Sequence, residues 1–409
     1  MLIANNIIAK YLSYLFFLIP IALVTGPFLS DLIVSIIAIF FIYILIKEKK
    51  FLYLKDLKTI LFGIFCVFIT IRAAFSINIE ESIIPSLFYF RFGLLVLATV
   101  YFIKEIPNFE KIFTKFLFFT IIFVSTDAYF QIAFGFNFFG FENAVSDRVS
   151  GLFGDEYVLG SYLTRLYPLL LALIINKIDF NLKNTFIFIL LISLINLLIF
   201  FTAERTAFLL NLIFLALLML TVKKVRKILI TIFLISLISM GIAIKSNKGL
   251  YERMIIQTYN EVFEDNKINV FTEGHQSHIK SALKMFNDNK FFGHGVKNYR
   301  LLCRDPKYFE KITSCSTHPH HSFAQLLAET GLFGFSFILF IFLFVCKEII
   351  FSVKKSFSNN QQLDDQKTII SILIFINLFP FSPSGSFFNN WLSIIYFLPL
   401  GFYLSRFKK

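Results

Sequence analysis

The chain is a succession of apolar runs, each long enough as a helix to cross a hydrocarbon core of about 30 Å. About twelve such runs lie near 11–27, 29–46, 58–76, 83–103, 112–134, 157–176, 184–202, 204–222, 226–245, 320–346, 367–381 and 387–405. A backbone in lipid must satisfy its own hydrogen bonds, and runs of this length do so as α-helices. The expected fold class is all-α: a polytopic helical membrane protein with one long polar loop between the ninth and tenth spans. Hydrophobic residues make up 57% of the 409, far above a soluble domain. Three parts follow: 1–245 with nine spans, 246–319 as a loop with short helices, and 320–409 with three more spans. The first run, Tyr11 to Val24, has no small-residue cleavage pattern and reads as a span.

The net charge of +13 would suggest nucleic acid in a soluble protein. Here the cations fall largely between apolar runs, where they set orientation and meet anionic lipid, and no nucleic-acid motif is present. Lys10, Lys47 to Lys58, Lys104 to Lys115, Lys177 and Lys183, Lys223 to Lys227, Lys347 to Lys367 and Arg406 to Lys409 occupy alternate connections. The intervening short connections are poor in cations. By the positive-inside rule both termini are then cytoplasmic, and the segment from Ser246 to Thr317 lies on the other side of the membrane. Within it, Tyr251 to Phe263 and Gln276 to Phe286 have helical apolar spacing.

The end of that segment concentrates the chemistry. Lys297, Arg300, Arg304, His318, His320 and His321 stand just ahead of an apolar helix whose polar residues are few, chiefly Gln325 and Glu329. Pro319 suits the first turn of that helix, and a helix N-terminus beside cations is an anion site. Cys303 and Cys315 flank a polar hairpin in the same loop; in an oxidising compartment they would close a disulfide worth about 3 kcal/mol. The histidine spacing matches no familiar zinc motif, so neither metal nor other cofactor is expected. A neutral imidazole there suits proton removal from a hydroxyl, and a charged one suits an anionic leaving group.

Arg72, Arg91, Arg165 and Arg205 fall inside or at the ends of spans, where a central cation costs about 2.5–3.5 kcal/mol. Each by itself could snorkel to the interface. Together, on the side of the long loop and with only Asp127, Glu204 and Glu329 as acids nearby in the spans, they point to an anionic ligand in a shared cavity. The turn from Thr202 to Arg205 joins two spans almost without a loop, so Glu204 and Arg205 belong at the floor of that cavity.

Four stretches, in this order, carry a family resemblance: Arg148-Val-Ser-Gly-Leu-Phe-Gly154, Thr202-Ala-Glu-Arg-Thr-Ala207, Ala282 to Gly295, and His318-Pro-His-His-Ser-Phe-Ala-Gln-Leu-Leu-Ala-Glu-Thr-Gly331. Across roughly Gly135 to Phe344 the chain resembles the O-antigen ligase and Wzy-type O-antigen polymerase superfamily of bacterial membrane glycosyltransferases. His320 takes the place of that family's essential His, and His321 stands where Asn is usual; Arg205 matches its turn arginine, with Ala203 in place of Gly. The resemblance implies a C-type glycosyltransferase-like fold in the bacterial inner membrane, its site facing the periplasm. It implies metal-independent, inverting transfer of a glycan from undecaprenyl diphosphate to a lipid A-core or glycan hydroxyl. His320 and Arg205 would be catalytic, with Arg72, Arg91, Arg148, Arg300 and Lys297 on the diphosphate. His318, His321, Glu204, Gln325 and Glu329 would support them. A lipid-linked glycan transporter is the rival reading, but no paired internal repeat is present and the one large loop is asymmetric.

Overall fold

The computed structural model describes residues 7–142, 148–263, 268–358 and 364–407; Lys408 and Lys409 of the C-terminal basic cluster lie outside the described residues. Among those described there is no named strand, and helices account for the architecture. In the first half these are α1 (Ile7–Phe17), α2 (Ile19–Ala22), α3 (Pro27–Lys47), α4 (Leu57–Ala74), α5 (Ile79–Leu87), α6 (Phe90–Glu105), α7 (Phe109–Phe134), α8 (Leu159–Ile174) and α9 (Leu182–Phe201). There follow α10 (Arg205–Thr221), α11 (Arg226–Ser246), α12 (Lys248–Tyr251), α13 (Gln257–Val262), α14 (Glu273–Asp288), α15 (Tyr299–Leu302), α16 (Ser322–Ser356), α17 (Asp365–Asn377) and α18 (Asn390–Ser405).

Each apolar run is helical, but the helices are not uniform. Among the described residues seven helical stretches, one of them running from Ile79 through α5 and α6 to Glu105, are long and apolar enough to cross a membrane, and four shorter apolar helices, α1, α8, α10 and α18, accompany them. The run near 83–103 divides between α5 and α6, and the one near 11–27 is cut at Leu18. α18 packs along α6 and α17 along α8, so the last helices fill the interior between the earlier ones. Ile39, Phe119, Ile238 and Phe340 stand exposed on outer helix faces, where lipid rather than water is the natural solvent.

The two ends of the bundle differ in charge. At one end Lys50 pairs with Glu105, Lys177 with Glu110, and Lys367 with Glu348, and the Arg406 guanidinium meets Glu110. Arg226 there donates to Ser356. The other end holds the connections poor in cations together with the 246–319 segment.

α16 is two helices joined at Gly331, whose φ of 62° and ψ of −168° break the helical path. The chain from Lys290 to Gly295 repairs the break. Leu332 and Phe333 N–H donate to the carbonyls of Lys290 and Phe291 at 2.7 and 3.1 Å, and His294 and Gly295 N–H donate to Ala328 and Glu329 at 3.0 and 2.8 Å. Freed backbone groups in an apolar bundle are tolerated only when protein satisfies them. The close approach requires glycine on both sides: a Cβ on Gly293 would lie 2.4 Å from the Glu329 carbonyl carbon, and one on Gly331 2.4 Å from Phe291.

Candidate functional site

The loop end carries a cluster of four imidazoles. His318 and His320 lie on the turn before α16, with ring centroids 4.1 Å apart; His278 and His275, on one face of α14, approach His320 to 5.1 and 5.7 Å. Each ring is tethered through a hydroxyl: His320 Nε2 to Ser316 at 3.1 Å, His318 Nδ1 to Thr317 at 2.9 Å, His275 Nδ1 to Thr272 at 2.8 Å and His278 Nδ1 to Tyr299 at 3.4 Å. Burial, reinforced by the neighbouring imidazoles, lowers His320 to about 3; burial also lowers His318 to about 4. Both rings are therefore neutral at pH 7. Among the described residues no group of His, Cys, Asp or Glu has metal-holding geometry.

The backbone at His320 is left-handed, with φ of 49°, a conformation costing a non-glycine residue about 1–3 kcal/mol. Its carbonyl is held by Ser384 N–H at 2.9 Å. The hairpin leading to it is closed by a Cys303–Cys315 disulfide with Cα atoms 5.1 Å apart. Two expectations about the helix start need correction. Pro319 lies outside the first turn, because His321 is the N-cap and α16 begins at Ser322. The helix terminus is also not free for an anion: Ser322 N–H donates to Ser384 Oγ at 2.8 Å and Ala324 N–H to His321 Nδ1 at 3.0 Å. With Nδ1 accepting and Nε2 donating to the Pro380 carbonyl at 2.8 Å, His321 is fixed as the neutral Nε2–H tautomer. Its ring does the capping work an Asn side chain would do.

Cations flank the histidines on two sides. On one side Arg205 forms a two-pronged pair with Glu261, at 2.7 and 3.1 Å, and both lie within electrostatic range of His275. Arg148 shares this field, stacked 4.0 Å over Tyr157, and Arg253 joins it by donating to the Ala203 carbonyl at 3.0 Å. Arg253 and Glu261 were not singled out in the sequence; their place on a helix-patterned loop segment was the one signal. On the other side Arg300 pairs with Glu81 at 3.3 Å and acts on both His318 and Lys297. Burial and Arg300 together lower the Lys297 ammonium, whose backbone is left-handed at φ 62°.

Other predicted ligands have work elsewhere. Arg91 is gripped by Asp31, at 2.8 and 2.9 Å, and Asn390 holds the second Asp31 oxygen at 2.9 Å. Asp31 was absent from the acids counted near the spans, because it precedes its partner by 60 residues. Arg72 donates to the Gly293 and Phe75 carbonyls, both at 2.8 Å, and so ties α4 to the segment repairing α16. Glu204 accepts the N–H groups of Gly160 and Ser161 at 2.6 and 3.0 Å, capping the start of α8. Glu329 accepts from Gln325 at 3.0 Å and Tyr299 N–H at 3.3 Å, while Gln325 Oε1 accepts from Phe387 N–H at 2.8 Å. These two brace the loop against the connection that leads into α18 from within the bundle.

The fold and site together define a polytopic, all-helical membrane protein with a cation-flanked histidine cluster at one end of its bundle. Residues 186–339, from within α9 to just past the break in α16, match the family model described as O-antigen ligase. Over this stretch the chain is similar to the O-antigen ligase/Wzy superfamily, as its motifs led one to expect. No curated protein matches it.

Proposed function

We propose that this protein is an inverting, metal-independent glycosyltransferase that moves a glycan from an undecaprenyl-diphosphate carrier to a hydroxyl of lipid A-core or a related acceptor. The reading rests on one observation: neutral His320 packs against His275, which lies in the field of Arg205, and against His318, which lies in the field of Arg300. The acceptor oxygen attacks the anomeric carbon from the face opposite the diphosphate, and His320 takes its proton. The bond from that carbon to the phosphate oxygen breaks, and the diphosphate leaves with the electron pair. Arg205, Arg148 and Arg253 on one flank, with Arg300 and Lys297 on the other, stabilise the charge that develops. Arg72, Arg91, Glu204, Gln325, Glu329 and His321 hold this frame rather than the substrate.

About twelve crossings with cytoplasmic termini would turn the histidine end to the periplasm of the bacterial inner membrane. The alternation of basic connections supports that orientation. The test is transfer in vitro, without metal, from undecaprenyl-diphosphate oligosaccharide to lipid A-core, comparing the parent with His320→Ala and Arg205→Ala. Loss of transfer in both folded variants is expected. Elongation of the carrier-linked repeat with no transfer to lipid A-core would make the protein a polymerase, and neither product would overturn the assignment.

A further inference from the structure

Beneath the turn carrying His321, the start of α16 meets the end of α17 and the 378–384 connection around a small cavity. Arg165 of α8 and Asn377 of α17 line it, 5% and 6% exposed. Arg165 Nη1 donates to the Ser161 carbonyl at 3.1 Å, but among the described residues its Nε has no hydrogen-bond partner, and neither amide atom of Asn377 has one. Glu204, whose field reaches Arg165, already has both oxygens engaged by the Gly160 and Ser161 N–H groups. A guanidinium at membrane depth without a counterion is costly. The cavity has room for about one water-sized group, and Ser382 and Ser384 also line it.

We infer that this cavity binds one halide-class anion as the counterion of Arg165, held also by the Asn377 amide. The α16 terminus is not the source of the site, since Ser322 N–H is already used by Ser384. The anion would fasten α8, α16 and α17 together one residue beyond His320's neighbour and so stiffen the catalytic turn, whatever glycan is transferred.

The test uses the purified full chain in detergent, titrated with sodium chloride or bromide against sodium gluconate at constant ionic strength, with thermal unfolding as readout. A saturable rise in Tm with both halides, small with gluconate or phosphate, is expected. Arg165→Gln should abolish the saturable part. Asn377→Leu, which keeps the cation, should shift the chloride titration to about tenfold higher concentration. A crystal grown in bromide should show anomalous scattering in the cavity. Equal Tm in gluconate and chloride, an unchanged halide response in Asn377→Leu and any folded Arg165→Gln, or protection by phosphate with none by halide, would each overturn the inference.

Discussion

Lowering the pH should unfold this protein through its histidine cluster. In the unfolded chain an imidazole takes up a proton below about pH 6.5, whereas His318 and His320 in the fold remain neutral down to about 4 and about 3. Between those limits the unfolded state binds more protons, so stability falls as pH falls. The contribution of the two rings is complete above pH 6.5 and lost as pH drops through their folded values. Each ring loses about 1.4 kcal/mol per pH unit, hence about 2 kcal/mol from pH 6.5 to 5, with about 4 kcal/mol for the pair as a ceiling. Partial solvation and the shared field of two rings 4.1 Å apart bring the expected figure below that ceiling. Thermal unfolding in detergent from pH 8 to 5 should therefore fall more steeply for the parent than for His318→Asn/His320→Asn. Burial also lowers His275, His294 and His321, and their effect is common to both proteins. Parallel curves would refute the claim that His318 and His320 are buried neutral.

Other substitutions probe the frame. Asp31→Asn leaves Arg91 buried without its carboxylate and should destabilise by about 3 kcal/mol, seen as a lower Tm with transfer retained by the folded fraction. Cys303→Ser should cost about 3 kcal/mol and raise proteolysis within the hairpin without releasing the transmembrane helices. Gly293→Ala, whose Cβ would meet the Glu329 carbonyl carbon at 2.4 Å, should displace the segment that repairs α16 and abolish transfer; wild-type rates would contradict the docking. Glu261→Gln removes the two-pronged partner of Arg205 and should raise KM for the lipid-linked donor or lower kcat severalfold, with little change in Tm, because the pair is partly exposed.

That the apolar runs are helices, and that basic and neutral connections alternate between them, was legible in the sequence, because length and hydropathy act locally and lipid leaves one solution for the backbone. The same holds for the two cysteines and for the histidines ahead of α16, which are near neighbours in the chain. What each arginine does was not legible. Arg91 answers to Asp31, Arg72 to the Gly293 carbonyl 221 residues later, and Arg205 to Glu261 on the loop. The addition of His275 and His278 to the cluster depended on how α14 docks, and the break at Gly331 depended on a second segment arriving to accept and donate its hydrogen bonds. Hydropathy tells a segment where to reside, and that is a sum over its own residues. The partner of a buried charge is a matter of distances between segments far apart in sequence, and only the packed bundle sets those.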